Sequence, residues 1–400
     1  MAKRSNGEGS ITKTKNKGWR AIITIGRDSN GKLKRKSFYG SNQKEVITKK
    51  NDYLEKNKNV TAQSIRDGIS GEMSLSNWFY IWLFTYKNNT VKPTTFERYY
   101  SVYNNYIKDK TIGKIKLYRL TSVDLQKYYN TLDVSINTKN LINDYIGFSL
   151  KKANEIGIIT LIPTKSVELP KLVEKERELK YFTEDMQIKL FNQLKKEAED
   201  DKEKQKYFNL YTVDFGTGIR LGELLGLKWS DFNEAEHTLT ICRTIKRVSI
   251  INENDKGNSF IKEMEPKTKT SNRIIPLCDK VYDALISQKE IININKQLLN
   301  PLDLYTDLDL IFPTKTGNYI DPRDLSRSFK KLLSRAGLED INFHAIRHTF
   351  ATRLFENEVD LKKVQKLLGH SKLSITADTY THVSKESLKN TVDKLNDYLF

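Results

Sequence analysis

The sequence predicts a multidomain α+β protein, and three observations carry that prediction. Its 400 residues are too many for one small core and suggest two or three domains. Hydrophobic periodicity switches along the chain between the two-residue alternation of strands and the three-and-four-residue spacing of helices. Two polar stretches, residues 58–73 with two glycines and residues 167–180 with Pro170 among alternating Lys and Glu, read as linkers. The expected parts are a small N-terminal β-sheet plus helix (1–60), a helical domain (74–168) and a mixed, mainly α domain containing strands (180–400).

In the first part, Trp19 to Gly26 alternates as a strand does, with Trp19, Ala21, Ile23 and Ile25 against Arg20, Ile22 and Thr24. Ser29-Asn30-Gly31 is a hairpin signal, because Asn-Gly tolerates the positive φ angles of a tight turn, and Leu33 to Tyr39 is then the return strand. Asn42 to Asn57 follows as a helix carrying Val46, Tyr53 and Leu54 among lysines. The second part begins near Ser74. Phe96, Tyr100, Tyr103 and Ile107 recur at i, i+4, i+7 and i+11 after Pro93, the pattern of a helix with one buried face. Thr121 ahead of Asp124 and Leu125 marks another helix start, and Asn137 to Ile156 continues the helical period; most of the tyrosines read as core. In the third part, Thr238 to Val248 and Arg273 to Leu277 read as strands between helical stretches. Asp321-Pro322 opens a helix with Asp as the cap and Pro at the first helical position. Ser384 to Phe400 sets Leu388, Val392, Leu395 and Leu399 on one stripe, a helix that packs on its own domain or docks in a groove elsewhere.

Charge narrows the function. Lys plus Arg total 68 against 50 Asp plus Glu, a net +18, which points to a polyanionic partner such as nucleic acid or an acidic membrane surface. Residues 1–60 hold 16 of the basic and 5 of the acidic residues. Such a run is at the least a solvated basic surface, and a basic ribbon of this shape also fits the DNA major groove. The longest apolar run, near Trp78 to Phe84, falls well short of the roughly 18 residues that span a bilayer, so no integral membrane protein is expected. The polar residues after Met1 do not resemble a secretory signal. Cys242 and Cys278 are the only cysteines, too few for a disulfide framework, a four-cysteine zinc site or an iron–sulfur cluster, and a reducing cytoplasm is the expected compartment.

Of five histidines, His344, His348, His370 and His382 fall within 39 residues. His344 and His348 lie four apart and share a helix face, but Ala345 stands where the hydrolytic zinc motif has Glu, and Arg347 would set a cation beside the metal. No metal is expected. The segments become specific when read together: Gly216-Thr217-Gly218-Ile219-Arg220-Leu221-Gly222-Glu223-Leu224, then His344-Ala345-Ile346-Arg347-His348, then Leu368-Gly369-His370, then Thr379-Tyr380-Thr381-His382. In order and spacing they resemble the tyrosine recombinase (phage integrase) family, strongly over residues 180–400 and weakly over the first 180. The overall plan is similar to integrases of conjugative transposons and temperate phages.

That resemblance implies an arm-site DNA-binding domain at 1–60, a core-binding helical domain at 74–168 and a catalytic domain with a β-hairpin at 180–400. It implies Arg220 and Arg347 as the active-site arginines, His344 and His370 as the histidines, Tyr380 as the nucleophile and Lys267 as the hairpin lysine, with Lys269 the alternative two residues on. It implies no cofactor. The partners would be double-stranded DNA at core and arm sites, further copies of the chain as a tetramer on DNA, and an excisionase and a DNA-bending host protein as accessory candidates. His348 and His382 are assigned to packing, and His237 is incidental.

The residue types fit the chemistry independently. A tyrosine phenol can conserve the energy of a broken DNA strand in a covalent phosphoryl link, which an incoming 5′-hydroxyl reverses without ATP. Two planar guanidiniums suit the non-bridging oxygens, on which charge builds in the transition state. A lysine ammonium can protonate the departing 5′-oxygen. Plain structural roles are also available: Arg220 paired with Glu223 at i+3, Arg347 at the surface, and Gly369-His370 as a helix C-cap. Two rival functions stand beside recombination. A DNA-binding regulator would leave no covalent protein–DNA product, and a type IB topoisomerase would relax DNA without exchanging partners.

Overall fold

A computed structural model describes residues 10–13, 18–27, 33–56, 70–170, 180–252, 256–265, 272–371 and 373. The Ser29-Asn30-Gly31 turn, Lys267, Lys269, Tyr380, His382 and the stripe of 384–400 lie outside the described residues. The chain forms two compact units, Met1–Lys175 with Ser249–Gly257, and Glu176–Val248 with Asn258–Phe400.

The first unit opens with an antiparallel sheet of β1 (Ser10–Lys13), β2 (Trp19–Arg27) and β3 (Leu33–Gly40), in that order. β1 escaped the sequence reading because four residues are too few to show an alternation. On one face Ala21 and Ile23 are buried, with Val46, where α1 (Gln43–Lys56) packs on β2 and β3. Arg20 pairs with Tyr39 and Ile22 with Ser37 across the ladder, so these residues share the other face, where Arg20 also donates to the Ser37 hydroxyl at 2.9 Å. Helices follow: α2 (Leu75–Ile81), which continues as a π-helical turn over Trp82–Lys87, then α3 (Pro93–Tyr106), α4 (Ser122–Thr131) and α5 (Ile136–Glu155). Ser74 caps α2 by accepting the Asn77 N–H, and Thr121 and Asp124 form a reciprocal capping box. Phe96, Tyr103 and Ile107 are buried in one core with Trp78, Phe79 and Leu150, while Tyr100 lies at its edge.

The second unit contains α6 (Glu184–Asp200), α7 (Gln205–Thr217) and the single turn α8 (Leu221–Leu224). The strands β4 (Phe232–Asn233), β5 (Thr238–Ile241), β6 (Thr244–Ile251), β7 (Lys256–Met264) and β8 (Arg273–Pro276) come next. They pair as a β4-β5-β8 sheet and a β6-β7 ribbon. The run Thr238 to Val248 is thus two strands of different sheets. Between them Arg243 forms an ion pair with Asp231 and donates to the Gly226 carbonyl, which breaks the extended path. β7 carries Gly257, Asn258 and Ser259 and lacks the apolar alternation that announces a strand. Then follow α9 (Asp279–Leu299), α10 (Pro322–Arg335), α11 (Ala345–Glu356) and α12 (Leu361–Leu368). Asp321 caps α10 with Pro322 in its first turn, as the dipeptide predicts. α7 packs on α6, α9 and α11, and Leu210, Tyr211, Phe329 and Ile346 lie in its core.

Candidate active site

Two left-handed glycines shape the site. Gly218 ends α7 at φ +58°, and a Cβ there would stand 2.4 Å from the Phe350 ring, so both conformation and space demand glycine. The chain then turns outward through extended Arg220 into α8. The Glu223 carboxylate accepts the Arg220 backbone N–H at 3.0 Å and its guanidinium at 2.7 Å. The i+3 pairing offered as a plain structural role is therefore present, yet it leaves the Arg220 side chain 38% exposed above a Glu223 that is 4% exposed. The ion pair holds the arginine in place without hiding it.

Gly369 ends α12 at φ +66°, so the helix-cap reading of Gly369-His370 is also correct. The cap fixes the next residue: Gln365 accepts the His370 N–H through its carbonyl and donates its side-chain amide to the His370 carbonyl at 3.0 Å. Helix ends leave carbonyls without partners, and their negative dipole end favours cations. Here three successive carbonyls each take a different arginine. Leu367 accepts from Arg273 at 2.6 Å, Leu368 from Arg347 at 2.5 Å and Gly369 from Arg220 at 3.4 Å. Arg347 also donates to the Gly218 carbonyl at 2.9 Å and is 3% exposed, so a surface role for it is excluded.

His344 is the N-cap residue of α11, one turn ahead of Arg347 and on the same face. Packing around its ring, then the Arg347 and Arg220 cations, lowers its pKa, although part of the residue remains open to solvent. His370 is held at about 3, first by burial and then by Arg347, Arg220 and His344. Both rings are consequently neutral at neutral pH, and each can donate and accept a hydrogen bond. His348 packs edge-on against His344 at 4.8 Å and is pushed to about 4 by burial, consistent with a packing role. His237 stacks on Tyr282 at 4.1 Å. Asp214, one turn before Gly218, is fully buried; burial pushes its carboxyl well above the usual range against the pull of Arg347, which reduces the counter-charge it offers the arginines.

The structure thus brings together Arg220, His344, Arg347 and His370, while Lys267, Lys269 and Tyr380 lie outside the described residues. Sequence reasoning missed Arg273. Its signal was available: in the strand Arg273-Ile274-Ile275-Pro276, period two sets Arg273 on the buried face with Ile275.

A cluster of guanidiniums with two neutral imidazoles, on a strongly basic chain, has the chemistry that suits a phosphodiester on which charge builds. Residues 181–387 match the phage integrase family, and residues 74–132 match the phage integrase N-terminal SAM-like domain. The chain is 37% identical, over 99% of its own length and 99% of the relative's, to a tyrosine recombinase XerC-like protein of Caldanaerobacter subterraneus subsp. tengcongensis. Among solved structures, the Tn1549 transposon integrase in complex with a circular intermediate DNA shares the fold at a TM-score of 0.64 and 20% identity, covering 81% of this chain and 99% of that one. A lambda integrase tetramer bound to a Holliday junction does so at 0.56 and 20% identity, covering 94% and 96%. The chain belongs to the phage integrase family of tyrosine recombinases and is a site-specific DNA recombinase. Neither rival, a regulator that cuts nothing or a topoisomerase, finds support among these relatives. Among the described residues no helix is long and apolar enough to cross a membrane.

Proposed function

We propose that this recombinase integrates and excises a mobile element by cutting each strand with Tyr380 and rejoining it through a 3′-phosphotyrosyl intermediate. The convergence of Arg220, Arg347, His344 and His370 at the end of α12 carries this reading, because it supplies the phosphate-binding half of the reaction. The Tyr380 oxygen attacks the scissile phosphorus and the bond to the 5′-oxygen breaks. The phenol proton passes to a neutral imidazole, and the 5′-oxygen takes its proton from Lys267. Arg220 and Arg347 bind the non-bridging oxygens, on which charge accumulates. The reverse attack by a 5′-hydroxyl of the partner duplex restores the phosphodiester, so no cofactor enters.

A substrate with sulfur in place of the bridging 5′-oxygen tests this chemistry. A thiol with a pKa near ~8.5 leaves as thiolate without a proton, so removing the acid costs little on that substrate. Lys267→Ala is expected to be severely slow on normal DNA and close to wild type on the sulfur substrate, with Arg220→Ala slow on both. Rescue of Lys269→Ala in place of Lys267→Ala would move the acid two residues along the chain.

The recombinase is proposed to work in the cytoplasm as a tetramer on DNA, with residues 74–168 and 180–400 on the core site and residues 1–60 on a separate arm site. An excisionase and a DNA-bending host protein are its proposed accessory partners. The sheet face carrying Arg20, Ser37 and Tyr39, opposite α1, supports the arm-site reading. A chain starting at Ser74 should still cut a core site but lose arm-site binding. In the full chain that binding should weaken with salt at a slope of roughly −0.9 per phosphate neutralised. Equal arm-site affinity with and without residues 1–73 would refute the two-site arrangement.

A further inference from the structure

We infer that Arg273 is a positioning residue for strand cleavage: acting through Glu223, it sets the direction and the effective charge of the Arg220 guanidinium. The inference deepens the reading of Arg220 and Arg347 as phosphate ligands and rests on it.

The first support is layering. The side chains of Arg273 and Glu223 are 5% and 4% exposed, against 38% for Arg220. Arg273 therefore lies beneath Arg220, and the Glu223 carboxylate between the two arginines links them. The second is geometry. Among the described residues, the planar fork of Arg273 reaches two acceptors, Nη2 to Glu223 Oε2 at 2.9 Å and Nε to the Leu367 carbonyl at 2.6 Å. Leu367 neighbours the carbonyls that hold Arg347 and Arg220, so Arg273 joins the carboxylate that aims Arg220 to the helix end that anchors both phosphate-binding arginines. Strand β8 holds its backbone, with Arg273 in register with Ile241 of β5. A lysine ammonium lacks the rigid fork that reaches both acceptors.

The third support is charge. A buried carboxylate with a single cationic partner would spend its whole charge on that partner and draw it inward. Glu223 instead serves two guanidiniums, so the trio keeps one net positive charge. The outer and more exposed member is Arg220. Burial pushes the Glu223 carboxyl up, yet Arg273 and then Arg220 outweigh it and hold its pKa below the ordinary value, so the carboxylate stays ionised between them.

The test uses the full chain and a nicked duplex taken from the ends of the DNA element that carries the gene, with covalent cleavage followed in a single turnover. Wild type, R273M, R220A and R273M/R220A form a double-mutant cycle, with duplex affinity and thermal midpoint measured for each. R273M should slow cleavage about 10-fold or more with affinity changed less than about 2-fold, whereas in the R220A background the same change should cost less than about 3-fold. R273K should recover part of the rate. Equal slowing by R273M in both backgrounds would show a general structural role and overturn the inference, as would no slowing in the wild-type background. If R273M does not fold, R273K replaces it in the same cycle and is judged by the same non-additivity. An R220A protein that cuts at the wild-type rate would instead sink the phosphate-ligand reading itself, an outcome visible before Arg273 is changed.

Discussion

Tyr380→Phe is expected to abolish strand cleavage while leaving DNA affinity nearly unchanged. The substitution deletes one oxygen, the proposed nucleophile, and removes none of the contacts that Arg220, Arg347, His344 or His370 would make to a phosphate. The flanking hydroxyls of Thr379 and Thr381 should not substitute. An aliphatic alkoxide is a poorer leaving group than a phenolate, so any link it formed would resist the return step. The measurement is a denaturing gel of protein with nicked duplex, in which wild type gives a covalent band and Tyr380→Phe gives none, alongside a binding titration of both. A covalent band retained in Tyr380→Phe would show that another residue attacks.

Arg347→Ala is expected to slow cleavage by roughly 100-fold or more, since loss of a preorganised oxyanion donor commonly costs about 3 kcal/mol. Arg220→Ala should do the same to the rate, but the two should separate in stability. Arg347 is buried and satisfies the Gly218 and Leu368 carbonyls, so its removal leaves two buried acceptors unpaired at about 1–3 kcal/mol each. Arg220 is partly exposed, and Glu223 keeps Arg273 when Arg220 is removed. Thermal unfolding should therefore show the larger loss for Arg347→Ala, and cleavage rates must be compared per folded molecule. Lysine at position 347 should rescue little, because one ammonium does not span two carbonyls and a phosphate. Full activity of Arg347→Lys would count against direct phosphate binding.

Much of the fold was legible because helices and paired strands write their periods into the chain. Of the stripe Phe96, Tyr100, Tyr103 and Ile107, all but Tyr100, at the core's edge, are buried as spaced, Thr121 with Asp124 forms the box their types allow, and Asp321-Pro322 starts a helix. The misses share one physical cause. β1 and β7 lack an apolar alternation, and the break at Cys242 and Arg243 depends on Asp231 and Gly226, residues more than ten positions away. Where a strand is held by ladder hydrogen bonds or a turn by a distant carboxylate, local pattern carries no mark of it.

By itself the sequence determined the family: the motifs around 220, 344, 347, 370 and 380, in their order along the chain, carried the resemblance that the family match over residues 181–387 bears out. Only the tertiary structure decided how the arginines are held. The segment 218–223, residue 273, residue 347 and the segment 367–369 are far apart in the chain. Their hydrogen bonds form because one helix ends where two left-handed glycines and a buried strand bring donors to its unpaired carbonyls. Spacing along a chain encodes local geometry, whereas a shared carboxylate and a common helix terminus come into being only when separate elements pack.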